Sequence, residues 1–206
     1  MRTTRSLGLI VAAIIVCTSC NNTSMVSTWT DPAGHGTMLK KIAVVGFRRN
    51  VVNRRLFEDE MIALLTKHGI QAEQSYTFMS EQPDTNADAL LDQLRGRGFD
   101  GVLISHVVGV RSDVQTTPGT MRYVPEIEFT QFGKYFRTVM MEEITPGTET
   151  VNEYVQIQTH LYRASDGGLI WAAQSETERI GDLQSRIEDY SRSVVGDLAK
   201  NKLIQK

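Results

Sequence analysis

Only two cysteines, five prolines and no surplus of either charge set the first limits on this 206-residue chain. Two cysteines build neither a disulfide-dense scaffold nor a four-cysteine zinc site. With 22 Lys and Arg against 24 Asp and Glu, the formal charge of −2 leaves no electrostatic footprint for nucleic acid. Low proline content beside 41% hydrophobic residues excludes a wholly disordered chain. No apolar run approaches the roughly 20 residues of a transmembrane helix. The turn after the apolar run Lys41 to Phe47 has neither a Walker A loop nor a G-x-G-x-x-G pattern, and the sequence has no G-x-S-x-G elbow and no H-E-x-x-H pair, so no cofactor is expected.

What is present begins at the amino terminus. Residues 1–19 have the order of a targeting segment, with Arg2 and Arg5 as a cationic start and Leu7 to Val16 as a short apolar run. A signal peptide needs only roughly 7 to 15 apolar residues in its centre. Thr18 and Ser19 then precede Cys20. This arrangement resembles the bacterial lipoprotein box, in which the cysteine is diacylated and becomes the mature first residue; Cys17 stands where that box usually has an aliphatic. The alternative is plain secretion with cleavage near Ser19 and a free thiol. Acyl chains on Cys20 would contribute about 0.8 kcal/mol per buried methylene, enough for stable anchoring. Lipoproteins retained at the inner membrane commonly carry Asp after the cysteine, so Asn21 implies, by the same resemblance, an outer-membrane address facing the periplasm. Losing the leader removes 2 of the 22 basic residues and none of the 24 acidic ones, which leaves a mature charge of −4.

Residues 20–28 are small and polar and are expected to form a lipidated tether, with the periplasmic domain running from 29 to 206. Lys41 to Phe47 is a continuous apolar strand, the pattern of a strand covered on both faces. A helix from about Arg54 to His68 follows, capped by Asn53 and stopped by Gly69. A strand at Ile70 to Phe78, a helix carrying Ala87, Leu90, Leu91 and Leu94, and a strand at Gly101 to Val110 come next. This order requires parallel pairing with right-handed crossovers. Residues 111–147, punctuated by Thr117-Pro118-Gly119, Val124-Pro125 and Pro146-Gly147, read as an irregular insertion with a partly formed hairpin or flap. A hairpin at Thr148–Arg163 and from Leu169, and a helix over about Leu183 to Leu203, complete an α/β fold: one mixed sheet with helices packed against it.

Three groups of residues invite a chemical reading. Arg48, Arg49, Arg54 and Arg55 bracket the turn after the first apolar strand, where open α/β sheets bind anions, but Glu58, Asp59 and Glu60 are close enough to pair with them. His35, His68, His106 and His160 are isolated from one another in sequence, so no metal site is expected. Ser105 beside His106 cannot form a dyad on a strand, because neighbouring side chains point to opposite faces. Glu142-Glu143 and Glu126-x-Glu128 read as solvated charges. The aromatic set Tyr123, Phe129, Phe132, Tyr135 and Phe136 is a candidate surface for a partner or for self-association, or else a hairpin folded over the sheet.

Ser27-Thr28-Trp29-Thr30-Asp31-Pro32, Lys41 to Gly46, Asn53 to Glu60 and Gly168-Leu169-Ile170-Trp171 together resemble a family of uncharacterised Gram-negative lipoproteins. The resemblance covers most of the mature chain and implies a domain similar to the amino-terminal domain of TolB and the core of the curli-secretion lipoprotein. It brings no catalytic residues. The expected function is a non-enzymatic envelope lipoprotein, membrane-bound through its lipid, that binds another envelope protein or itself; the alternative is a periplasmic hydrolase or anionic-ligand-binding protein.

Overall fold

The computed structural model of the chain describes residues 22–32, 38–47, 50–79, 87–130 and 135–205. Its organising strand is β2 (Lys41–Phe47), whose unbroken apolar run follows from cover on both faces. Ile42 and Val44 enter the larger core, whereas Ala43 and Val45 enter a second core on the opposite face. β2 pairs in parallel with β3 (Gln71–Gln74) and with β4 (Gly101–Thr117). Beyond β4 the sheet continues antiparallel through β7 (Thr148–Arg163), β8 (Leu169–Glu178) and β1 (Thr23–Thr30), in the order β1-β8-β7-β4-β2-β3. β5 (Thr120–Thr130) and β6 (Tyr135–Thr145) form a separate two-stranded sheet. The mixed α/β architecture is the one expected.

Helices α1 (Val51–Lys67) and α3 (Leu183–Lys200) bury Phe57, Met61, Leu65, Tyr190, Val194 and Leu198 against one face. Helix α2 (Ala87–Gly96) covers only the β2–β4 end of the other face, where Leu94 meets Phe99 and Val102. Gly46 lets α1 approach, since a Cβ there would lie 2.7 Å from the Phe57 ring. Asp182 caps α3 by accepting from the Ser185 N–H at 2.8 Å. Gly69, at φ +75°, ends α1 as expected.

Three boundaries differ from the sequence reading. The cap of α1 is Asn50, which accepts from Val52 and Asn53 N–H at 2.9 and 3.2 Å. The first helical turn exposes Val51 and Val52, so apolar periodicity gives no sign of it. Strand β3 stops at Gln74 and gives way to a 3-10 turn at Ser75–Thr77. The segment expected to be a tether becomes a strand at Thr23, because β-branched threonines fit a sheet edge as well as a linker. Thr23 is buried there, its Oγ1 2.9 Å from Thr177 Oγ1.

Candidate functional site

Beside Gly46, near the end of β2, lies one of the protein's own carboxylates. Glu58 is 0% exposed. Its Oε1 accepts from Gly46 N–H at 3.0 Å, Arg54 Nε at 2.9 Å and Ser75 Oγ at 2.6 Å, and its Oε2 accepts from Tyr76 N–H at 3.2 Å. Arg54 also donates through Nη2 to Ser75 Oγ at 2.6 Å. The Arg55 guanidinium sits 5.2 Å from the Tyr76 ring centroid. Two of the four candidate anion-binding arginines are thus engaged internally, Arg54 by a buried ion pair and Arg55 by an aromatic face; Arg48 and Arg49 lie outside the described residues. Tyr76 donates to Asp59 Oδ1, and this bond, with burial and the Asp59 charge, pushes its phenol up to about 12.

Among the described residues, no helix packs on the α2 side over β8, β1 and the His160 stretch of β7. Trp29, Ala172 and His160 lie in one row across three strands, with Ser27, Gln174, Gln158 and His106 in the next. His106 and His160 stack at 5.8 Å between ring centroids. Burial first, and the neighbouring His106 second, lower the pKa of His160. A shallow groove of about 230 Å³ runs past Trp29, Gln158, His160 and Gln174, and none of the described residues lining it is a carboxylate. Ser105 points to the opposite face, where the Tyr190 hydroxyl donates to its Oγ at 2.8 Å. Among the described residues, no cluster of three or more His, Cys, Asp or Glu is placed to hold a metal ion.

The third feature is an arm. Beyond the sheet, β4 and β7 continue as a ribbon that pairs Ser112–Thr117 with Thr148–Glu153. Pro118-Gly119 and Pro146-Gly147 then interrupt both strands at the same level, after which β5 and β6 pair from Thr120↔Thr145 to Thr130↔Tyr135. Arg111 to Gly147, read from sequence as an irregular insertion with a partly formed hairpin or flap, is mostly paired ladder among its described residues. The sequence signal was the repeated Thr-Pro-Gly-Thr at 117–120 and 145–148, which permits a break in both strands without ending their pairing.

The β5–β6 register gives the arm two unlike faces. Met121 pairs with Ile144, Tyr123 with Glu142 and Pro125 with Met140. Met121, Tyr123, Met140 and Ile144 are 59, 55, 60 and 66% exposed. The Tyr123 hydroxyl donates to Glu142 Oε1 at 3.0 Å. The alternate positions pair Thr120 with Thr145, Arg122 with Glu143 and Val124 with Met141; the Arg122–Glu143 ion pair closes at 2.6 Å, and Met141 is 50% exposed. Of the aromatic candidates, Tyr123 is exposed on the apolar face. The backbones of Phe129, Tyr135 and Phe136 belong to the ladder, while their side chains and Phe132 lie outside the description. Sequence reasoning fixed on aromatics and passed over Met121, Met140 and Ile144; the alternation of Met121, Tyr123 and Pro125 with Thr120 and Arg122 was the available signal.

Cys20 precedes the described residues. Asn22 follows it by two positions, and its carbonyl accepts from Glu178 N–H at 2.9 Å. Glu178 pairs with Tyr154, which pairs with Arg111. The chain therefore enters the sheet level with the point where the arm leaves it.

No family model and no curated protein matches the sequence. Among solved structures, the chain is similar to the PelC dodecamer from Paraburkholderia phytofirmans, with TM-score 0.46 and 13% identity over 89% of this chain and 99% of that one. It is also similar to lipoprotein GNA1162 from Neisseria meningitidis, with TM-score 0.42 and 14% identity over 78% of this chain and 99% of that one. A third likeness, to a PDZ domain protein from Parabacteroides distasonis, has TM-score 0.29 and 12% identity over 86% of this chain and 34% of that one. At these scores none of the likenesses carries an argument about function.

Proposed function

We propose that the chain is a bacterial envelope lipoprotein, held at the periplasmic face of the outer membrane by acyl chains on Cys20, and that its domain works by binding rather than catalysis. It engages another envelope component, or a second copy of itself, through the projecting arm. The observation that carries this reading is the apolar face of β5–β6, where Met121, Met140 and Ile144 are each more than half exposed. Contiguous exposed apolar side chains beside a polar rim mark contact surfaces. The non-catalytic part is supported by two details. Ser105 and His106 stand on opposite faces of β4, and the described residues lining the groove beside His160 include no acidic group to orient its ring. No helix among the described residues is long and apolar enough to cross a membrane.

Two measurements test the two halves. Cys20→Ala should shift the protein from the membrane fraction to the soluble periplasm, and persistence in the membrane fraction contradicts the anchor. In-cell photo-crosslinking from position 121 or 144 should capture an envelope component, protein or lipid, that position 120 does not capture. Equal capture from both faces contradicts the arm as a directional contact.

A further inference from the structure

The arm and the start of the described chain share one end of the sheet. Asn22 sits level with Glu178, Tyr154 and Arg111, and the ribbon runs outward from that row. Cys20 is two residues before Asn22, so at most about 7 Å of extended chain separates them. A lipid on Cys20 therefore holds the root of the arm at the membrane surface.

Chain length then decides how the arm meets that surface. The root, Ser112–Thr117 paired with Thr148–Glu153, has six rows and is about 20 Å long at the strand rise of about 3.4 Å. It carries Asp113, Glu149 and Glu153. Directed straight into the bilayer, it would set these charges across most of a hydrocarbon core about 30 Å thick, where ionised side chains are strongly disfavoured. Laid along the surface, the same ribbon keeps them in water. The hairpin beyond Pro118-Gly119 and Pro146-Gly147 is asymmetric next to that break: Met121, Pro125, Met140 and Ile144 face one way, while Thr120, Thr145 and the Arg122–Glu143 pair, followed by Val124 and Met141, face the other. Tyr123, whose hydroxyl is held by Glu142, joins an aromatic body to a polar tip, the combination favoured at headgroup depth. An isolated two-stranded hairpin is at best marginally stable in water, and a surface that takes up its apolar face supports it.

We infer that the β5–β6 hairpin lies in the headgroup interface of the bilayer with its Met121–Ile144 face toward the acyl chains, making a second membrane contact beside the lipid on Cys20. This rests on the lipid-anchor reading above and names the bilayer as the arm's partner.

The test uses the full lipidated protein carrying Met121→Cys or Ile144→Cys, labelled with an environment-sensitive fluorophore. Vesicles of phosphatidylethanolamine and phosphatidylglycerol carry a quencher placed shallow or deep in the acyl chain. Thr120→Cys and Glu143→Cys report the opposite face. Shallow quenching should be several-fold stronger at 121 and 144 than at 120 and 143, with little deep quenching anywhere. Deep quenching at 121 and 144 equal to the shallow value means that the hairpin spans, and overturns the inference. Absence of quenching, with position 121 of one copy crosslinking to position 121 of another, overturns it in favour of self-association. The unsubstituted protein separates the two readings: a thioether-linked Cys20 takes no fluorophore, so labelling there marks failure of the anchor alone, while the difference between faces still reports on the arm.

Discussion

Gly119 and Gly147 face each other across the arm so closely that a Cβ on Gly119 would lie 2.8 Å from Gly147 N and a Cβ on Gly147 would lie 2.9 Å from Gly119 N. The obstruction is backbone, which cannot swing away, so any side chain here forces the strands apart. Gly147→Val should loosen the arm without unfolding the domain, because the side chains on either side of the break are exposed. Amide exchange should accelerate between Val110 and Val155, while stability in urea changes by no more than about 0.5 kcal/mol. A large global loss would mean that the arm folds as part of the core.

Glu58 is predicted to be the most sensitive charged residue of the domain. Glu58→Ala leaves the Arg54 guanidinium and the Gly46 and Tyr76 N–H groups without their shared acceptor, so urea unfolding should show a loss of about 3–5 kcal/mol. Glu73→Ala removes a partner of Lys41 in a solvent-exposed pair, and should cost at most about 1 kcal/mol. Similar losses from the two variants would contradict the assignment of Glu58 as the buried acceptor.

His160 should titrate below 6.5, because burial and the stacked His106 both disfavour its charged form. A lowered folded-state pKa means that this group's contribution to stability is present above about pH 6.5 and is lost as pH falls through the folded value. His106→Ala should raise the His160 midpoint in an NMR titration. An unchanged midpoint would show that the two rings do not interact.

Tyr76 has the opposite sign. Its folded-state pKa of about 12, against 10.0 for the free phenol, means that it favours folding below pH 10, and the benefit fades as pH rises towards 12. Ultraviolet difference titration of the unsubstituted protein against Tyr76→Phe should show a late phenol that the variant lacks, and Asp59→Asn should bring that phenol back toward 10. Retention of the late phenol in Tyr76→Phe would assign it elsewhere.

How far the sequence could be read depended on how many faces of an element are buried. β2 and the first half of β4 are covered on both sides, and their unbroken apolar runs announced them. β7, with Ile157 and Leu161 facing the core, alternates and was as legible. β1 was not, since its serines and threonines are equally at home in a linker and only pairing with β8 makes a strand of them. The arm was hidden for a related reason: prolines at 118, 125 and 146 read as loop punctuation, yet here they interrupt or accompany a ladder. At the turn after β2, spacing suggested that Glu58 could pair with Arg54, but its burial and its bonds to Gly46, Ser75 and Tyr76 depend on contacts remote in sequence.

The account turns most directly on the chemical state of Cys20. Intact-mass spectrometry of the native protein should show a chain that starts at Cys20 and carries added acyl mass, with 187 residues left from the original 206. A first residue without added mass, or a retained leader, would contradict the proposed attachment to the membrane.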